Sequence, residues 1–163
     1  MTPLSEIRLV VFDFDGVFSD NRVWTNDRGE EGVACFRGDS AGLRRLDEVG
    51  VAYFVLTSET NDAVPARARK IRIECVRGIE DKLPVLRDEL ERRGFSLDET
   101  AYLGNDINDA ECLDAVGLAV VPADAWAEVV PLAGIVLSRA GGHGCVRELC
   151  DAIWGAKRAA AAA

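Results

Sequence analysis

The run Ile7-Arg8-Leu9-Val10-Val11-Phe12 ends on Asp13-Phe14-Asp15-Gly16, and this junction decides how the rest of the chain is read. A short β-branched and aromatic run is too brief for a helix, and it stops at two carboxylates and a glycine, as a buried strand stops at a turn. The pattern recurs. Val51–Leu56 runs into Thr57-Ser58-Glu59, and Ala101–Leu103 runs into Gly104-Asn105-Asp106-Ile107-Asn108-Asp109. Glu74–Val76, Leu118–Val121 and Ile135–Leu137 supply three further strand-like runs.

Helical patterns lie between these runs. Asp81–Arg93 carries Leu83, Leu86 and Leu90 at helical spacing, with Pro84 in its first turn and Gly94 as its stop. Ser40–Val49 and Asn108–Val116 read as helices as well, the latter closed by Gly117. Strands alternating with helices give an α/β fold, a doubly wound, mostly parallel sheet covered on both faces. One stretch breaks the alternation: Val23-Trp24-Thr25 and Val33-Ala34-Cys35 flank the turn residues Asn26-Asp27-Arg28-Gly29. They predict a protruding hairpin, which would pack on another subunit because an isolated hairpin is marginal in water.

Composition bounds the function. The chain has 163 residues, 48% of them hydrophobic, with a net charge of −9 that would repel a phosphate backbone. Its apolar runs fall far short of a membrane span. The reading is a soluble, cytoplasmic protein with no nucleic-acid and no membrane partner, a single domain over residues 1–156, and a disordered tail over 157–163. The five cysteines include no Cys-x-x-Cys, and the lone histidine, His143, sits in Gly-Gly-His-Gly, so neither a disulfide framework nor thiol catalysis is expected.

In an open parallel sheet, ligands collect beyond the carboxyl ends of the strands. Two of the tips there are dominated by acidic residues. Carboxylates forced together repel one another and lose hydration, a cost that a hard divalent cation with oxygen ligands offsets, and magnesium is the natural candidate. It leaves one aspartate to attack phosphorus and another to handle the leaving-group proton. The Thr57 hydroxyl and the Lys82 ammonium would neutralise the oxygens of the transferring group. Taken singly, each of these features has a plain reading as a turn, a cap or a solvated lysine.

The ordered set resembles the haloacid dehalogenase (HAD) superfamily of phosphohydrolases: Asp-x-Asp-Gly-Val, then Thr-Ser after the second parallel strand, then Lys, then Gly-Asn-Asp-x-x-Asp. The resemblance covers Ile7 to Trp154. It implies that Asp13 is the nucleophile and Asp15 the general acid and then base, with Asp13, Asp15 and Asp106 holding magnesium. It also implies that Thr57, Ser58, Lys82 and Asn105 bind phosphate and that Asp109 supports the site.

No cap domain fits between Asp15 and Thr57, so the chain is similar to the capless branch of the superfamily. That branch contains 3-deoxy-octulosonate 8-phosphate phosphatase, 2-keto-3-deoxynononate 9-phosphate phosphatase and the C-terminal module of CMP-sialate synthetases. There a homotetramer stands in for the cap, and Gly141-Gly142-His143-Gly144 matches the loop that closes a neighbour's pocket. Asp39-Ser40-Ala41-Gly42 and Glu59 look more like the nine-carbon, sialic-type enzymes. Arg67 and Lys70, one turn apart, would meet the sugar's carboxylate in that pattern. The eight-carbon phosphatase and a non-catalytic assembly module stand as the alternatives. A receiver domain does not fit, because the strand Glu74–Val76 ends without an aspartate to accept phosphate.

Overall fold

The computed structural model describes residues 1–163. In chain order the first half comprises β1 (Leu9–Phe12), β2 (Ser19–Thr25), β3 (Glu31–Cys35), α1 (Asp39–Glu48), β4 (Ala52–Leu56) and α2 (Ala63–Ile71). The second half comprises β5 (Glu74–Val76), α3 (Lys82–Arg93), β6 (Thr100–Leu103), α4 (Ala110–Ala115), β7 (Leu118–Val121), β8 (Ile135–Val136) and α5 (Cys145–Ala161). Six strands form one sheet in the order β5-β4-β1-β6-β7-β8, and all its pairings are parallel.

The continuous apolar runs follow from burial on both faces. Along β1, Val10 and Phe12 enter a core with Leu43 and Leu46 of α1 and Leu149 and Ile153 of α5. Leu9 and Val11 point the other way, into a core with Leu86 and Leu90 of α3 and Tyr102 of β6. Alternation along one strand thus feeds two layers. From β1 the sheet extends through β4 on one side and β6 on the other, so the order reverses there and a crevice opens past its carboxyl end.

The expected hairpin forms a separate two-stranded sheet from β2 and β3. Its turn is held by Asn26 Oδ1, which accepts the N–H groups of Arg28 and Glu30 at 2.9 and 3.0 Å. Gly29 takes the left-handed conformation that closes it. Apart from this hairpin and α1, nothing intervenes between β1 and β4.

Two sequence expectations are corrected. The helix read from Asn108 begins instead as a 3-10 turn over Ile107–Asp109 before α4. The segment 157–163 is not a disordered tail, since α5 continues through Ala161. Alanine is the best helix former, Lys157 Nζ donates to the Ser5 carbonyl at 3.0 Å, and the Arg158 guanidinium stacks on Trp154. All five cysteines are free, and burial pushes the Cys112 and Cys145 thiols up to about 12. No helix is long and apolar enough to cross a membrane.

Candidate active site

Three strand ends build one cavity. Asp13 follows β1 and donates its N–H to Leu103 O at 2.9 Å, while Thr57 follows β4 and donates to Val76 O at 3.0 Å. These sheet bonds carry the lattice past the strand ends and fix both residues. The resulting cavity of about 180 Å³ is lined by Asp13, Asp15, Asn21, Thr57, Ser58, Glu59, Asn105, Asp106 and Asn108, with no apolar residue among them.

Lys82, the first residue of α3, reaches under this cavity. Its Nζ lies 2.9 Å from Asp13 Oδ1 and 2.7 Å from Asp109 Oδ1, and all three side chains are buried. Burial works against the ammonium, but the two carboxylates outweigh it and hold Lys82 above its ordinary range. For Asp13 burial dominates: with Asp109 adding to it and Lys82 opposing, its carboxyl is pushed up to about 7. Two carboxylates share one cation.

Asp109 has every lone pair engaged. Its Oδ1 accepts from Lys82 and from the Tyr102 hydroxyl at 2.8 Å, while Oδ2 accepts the N–H groups of Asn105 at 2.9 Å and Asp106 at 3.3 Å. One side chain therefore orients both the lysine and the 104–106 loop. Gly104 is required at that approach, because a Cβ there would lie 2.6 Å from the Asp109 carboxylate. Gly16, at φ 76°, is required likewise, since a Cβ would run into the Asn105 carboxamide.

Asp15 is held differently. The buried Ser19 hydroxyl donates to its Oδ1 at 2.8 Å. Burial lifts its pKa, the Ser19 bond opposes this, and neighbouring Glu59 adds to the rise. A carboxyl raised in this way can hold a proton for transfer. Thr57 Oγ1 accepts the Glu59 N–H at 3.1 Å, and Asn108 Nδ2 approaches Ser58 Oγ at 3.4 Å, which ties two of the tips together.

The sugar-binding set read from the sequence does not assemble as expected. Asp39 is buried, and neither carboxylate oxygen has a hydrogen-bond partner. Ser40 and Lys70 line a separate groove with Arg44, Asp47 and Tyr53, between α1 and α2. Arg67 donates to Phe36 O at 2.9 Å and does not line that groove. Of that set only Glu59 faces the cavity. His143 is exposed, with Nδ1 2.9 Å from Gly141 O. Asn108 of the third tip joins the lining, and Asn21, Ser19 and Tyr102 also belong to the site, although the sequence did not mark them. Ser19 and Asn21 lie off the strand-tip register, in the hairpin, while Tyr102 reads as an ordinary buried strand residue.

The donor chemistry fits a hard cation. No three acidic, histidine or cysteine side chains make a preformed cage. Four carboxylates line the cavity, Asp13, Asp15, Glu59 and Asp106, and a small octahedral ion that keeps several waters needs only one or two of them. Two buried carboxylates on one ammonium, and the buried, unpartnered Asn105 Oδ1, mark a site short of positive charge and donors.

No protein-family model matches the chain. The 3-deoxy-D-manno-octulosonate 8-phosphate phosphatase KdsC of Salmonella typhi is 34% identical over 152 residues, 93% of this chain and 81% of the relative. The chain belongs to the KdsC phosphatases of the HAD superfamily. The crystal structure of the corresponding phosphatase from Yersinia pestis, 33% identical, superposes on this KdsC-type chain with a TM-score of 0.91, covering 95% of this chain and 84% of the other. The Moraxella catarrhalis phosphatase, solved in complex with magnesium, phosphate and KDO, is 28% identical and has a TM-score of 0.91, with 98% and 92% covered.

Proposed function

We propose that this KdsC-type chain hydrolyses 3-deoxy-D-manno-octulosonate 8-phosphate with magnesium bound by Asp13, Asp106 and the Asp15 carbonyl. The observation that carries the reading is the buried Asp13–Lys82–Asp109 cluster opening on a wholly polar cavity. Magnesium, when bound, neutralises phosphoryl oxygens and holds the Asp13 carboxylate ionised.

Asp13 attacks phosphorus, forming an oxygen–phosphorus bond as the ester bond breaks. Asp15 gives its proton to the departing sugar oxygen. Asp15 then takes a proton from the water that attacks phosphorus, and the bond to Asp13 breaks to release phosphate. The Lys82 ammonium, the Thr57 and Ser58 hydroxyls and Asn105 hold the equatorial oxygens. Asp109 holds Lys82 and the 104–106 loop in place throughout.

The relatives support the eight-carbon substrate. The nine-carbon preference read from the sequence loses one support, because Asp39 is buried away from the cavity, and retains another in Glu59, which lines it. A homotetramer belongs to the same proposal, supported by the outward-facing Val23 and Trp24 of the hairpin. The test is a magnesium-dependent phosphatase screen across eight-carbon and nine-carbon keto-deoxy acid phosphates and hexose phosphates. The eight-carbon ester is expected to give the highest kcat/KM, and a higher value for the nine-carbon ester would overturn the substrate assignment.

A further inference from the structure

Two residues other than glycine adopt the left-handed backbone region, Arg72 and Asn21. Arg72 follows α2 as its C-cap, a common place for that conformation. Asn21 lies inside a strand, at φ 62°, where the β2–β3 register slips between Ser19 and Val23. Such an irregularity re-aims the side chain it carries. Here it aims Asn21 at the catalytic cavity, and no other residue of the hairpin lines that cavity.

The position is tied to the chemistry. The Ser19 hydroxyl that donates to Asp15 Oδ1 at 2.8 Å also accepts the Asn21 N–H at 3.4 Å. One small group thus fixes Asn21 relative to Asp15. That bond is made by the Asn21 backbone, and the residue is exposed at the mouth while Asp13 lies buried at the base. The lining includes four carboxylates, Asp13, Asp15, Glu59 and Asp106, and no cationic residue. An acidic, hydroxyl-rich substrate entering past them needs a neutral donor at the rim, which a carboxamide supplies.

We propose that Asn21 is a specificity-determining residue whose carboxamide hydrogen-bonds the sugar-acid portion of the ester while the phosphate sits over Asp13. This rests on the function proposed above. A purely conformational role is separable, because glycine occupies the left-handed region with no steric penalty and would serve the turn equally well.

The experiment measures kcat and KM of the full-length wild type, Asn21→Gly and Asn21→Asp with magnesium, on 3-deoxy-D-manno-octulosonate 8-phosphate and on p-nitrophenyl phosphate, which lacks the sugar. In Asn21→Gly the ratio of kcat/KM for the sugar ester to that for the aryl ester is expected to fall about tenfold, mainly through KM of the sugar ester. Asn21→Asp, which places a fifth carboxylate at the mouth, is expected to lower the ratio further. A ratio in Asn21→Gly within about twofold of wild type overturns the assignment, since the residue then serves only the backbone. A wild type that hydrolyses the aryl but not the sugar ester overturns the substrate reading and Asn21 with it, and one that hydrolyses neither overturns the phosphatase reading itself.

Discussion

Lys82 Nζ stands 2.9 Å from Asp13 Oδ1 with both side chains almost wholly out of solvent, joining the first residue of one helix to the residue that ends the central strand. The pair couples stability to chemistry. Lys82→Met would leave Asp13 and Asp109 buried without their cation, and breaking a buried pair from one side costs roughly 3–5 kcal/mol. Urea unfolding at pH 7 should show a loss of that size, accompanied by loss of phosphatase activity. An unchanged unfolding midpoint would show that the carboxylates do not depend on the lysine.

Asp39 predicts a pH dependence distinct from that of the catalytic groups. Burial, opposed by the Arg67 guanidinium, pushes its carboxyl from the ordinary 3.8 up to about 7. Between those two values the folded state holds a proton that the unfolded state has released, so this group's contribution to stability falls as pH rises through that window. A carboxamide at this position has no such proton to lose. Asp39→Asn is therefore expected to be more stable than wild type at pH 8, by about 1 kcal/mol or more, with the difference shrinking toward pH 4. Chemical denaturation at the two pH values checks it, and a constant difference would assign the burial penalty elsewhere.

Magnesium should stabilise the folded chain as well as activate it. A ligand that binds only the native state raises stability with its concentration, and here it relieves the surplus charge shared by Asp13 and Asp109 around Lys82. Thermal melts are expected to shift upward with added magnesium in the wild type and much less in Asp106→Asn. Equal shifts in both proteins would remove Asp106 from the ligand set.

The hairpin predicts an assembly defect. Trp24 and Val23 are 67% and 55% exposed, an apolar pair at the outer part of a two-stranded sheet that is marginal by itself. If the proposed homotetramer is seated through this pair, Trp24→Asp should lower the mass measured by light scattering toward the 17.6 kDa of one chain. An unaltered mass would place the interface elsewhere.

What the sequence disclosed and what it hid divide along physical lines. Strand ends were legible because a buried apolar run stopping at Asp, Thr or Gly has few other meanings, and in a parallel sheet every such end faces the same crevice. That logic brings Asp13, Asp15, Thr57 and Asp106 together from the sequence alone. Lys82 was legible only as a position in an order; its reach under the cavity depends on how α3 packs. Arg67 and Lys70 misled because helical spacing shows which residues share a helix face, not what lies opposite, and the end of β3 draws Arg67 to Phe36 O. Asn21 was hidden because a strand irregularity has no local signature here. The terminal alanines read as low complexity, although their helix propensity extends α5.

The central claim, that Asp13 becomes phosphorylated, is tested most directly by trapping. The enzyme is quenched in acid during magnesium-dependent turnover, reduced with borohydride and digested, and its peptides are analysed by mass spectrometry. An acyl phosphate at Asp13 would be reduced to homoserine, so the account predicts homoserine at position 13 in the wild type and none in Asp13→Asn. Steady release of phosphate with position 13 unmodified, or homoserine at another carboxylate, would contradict it.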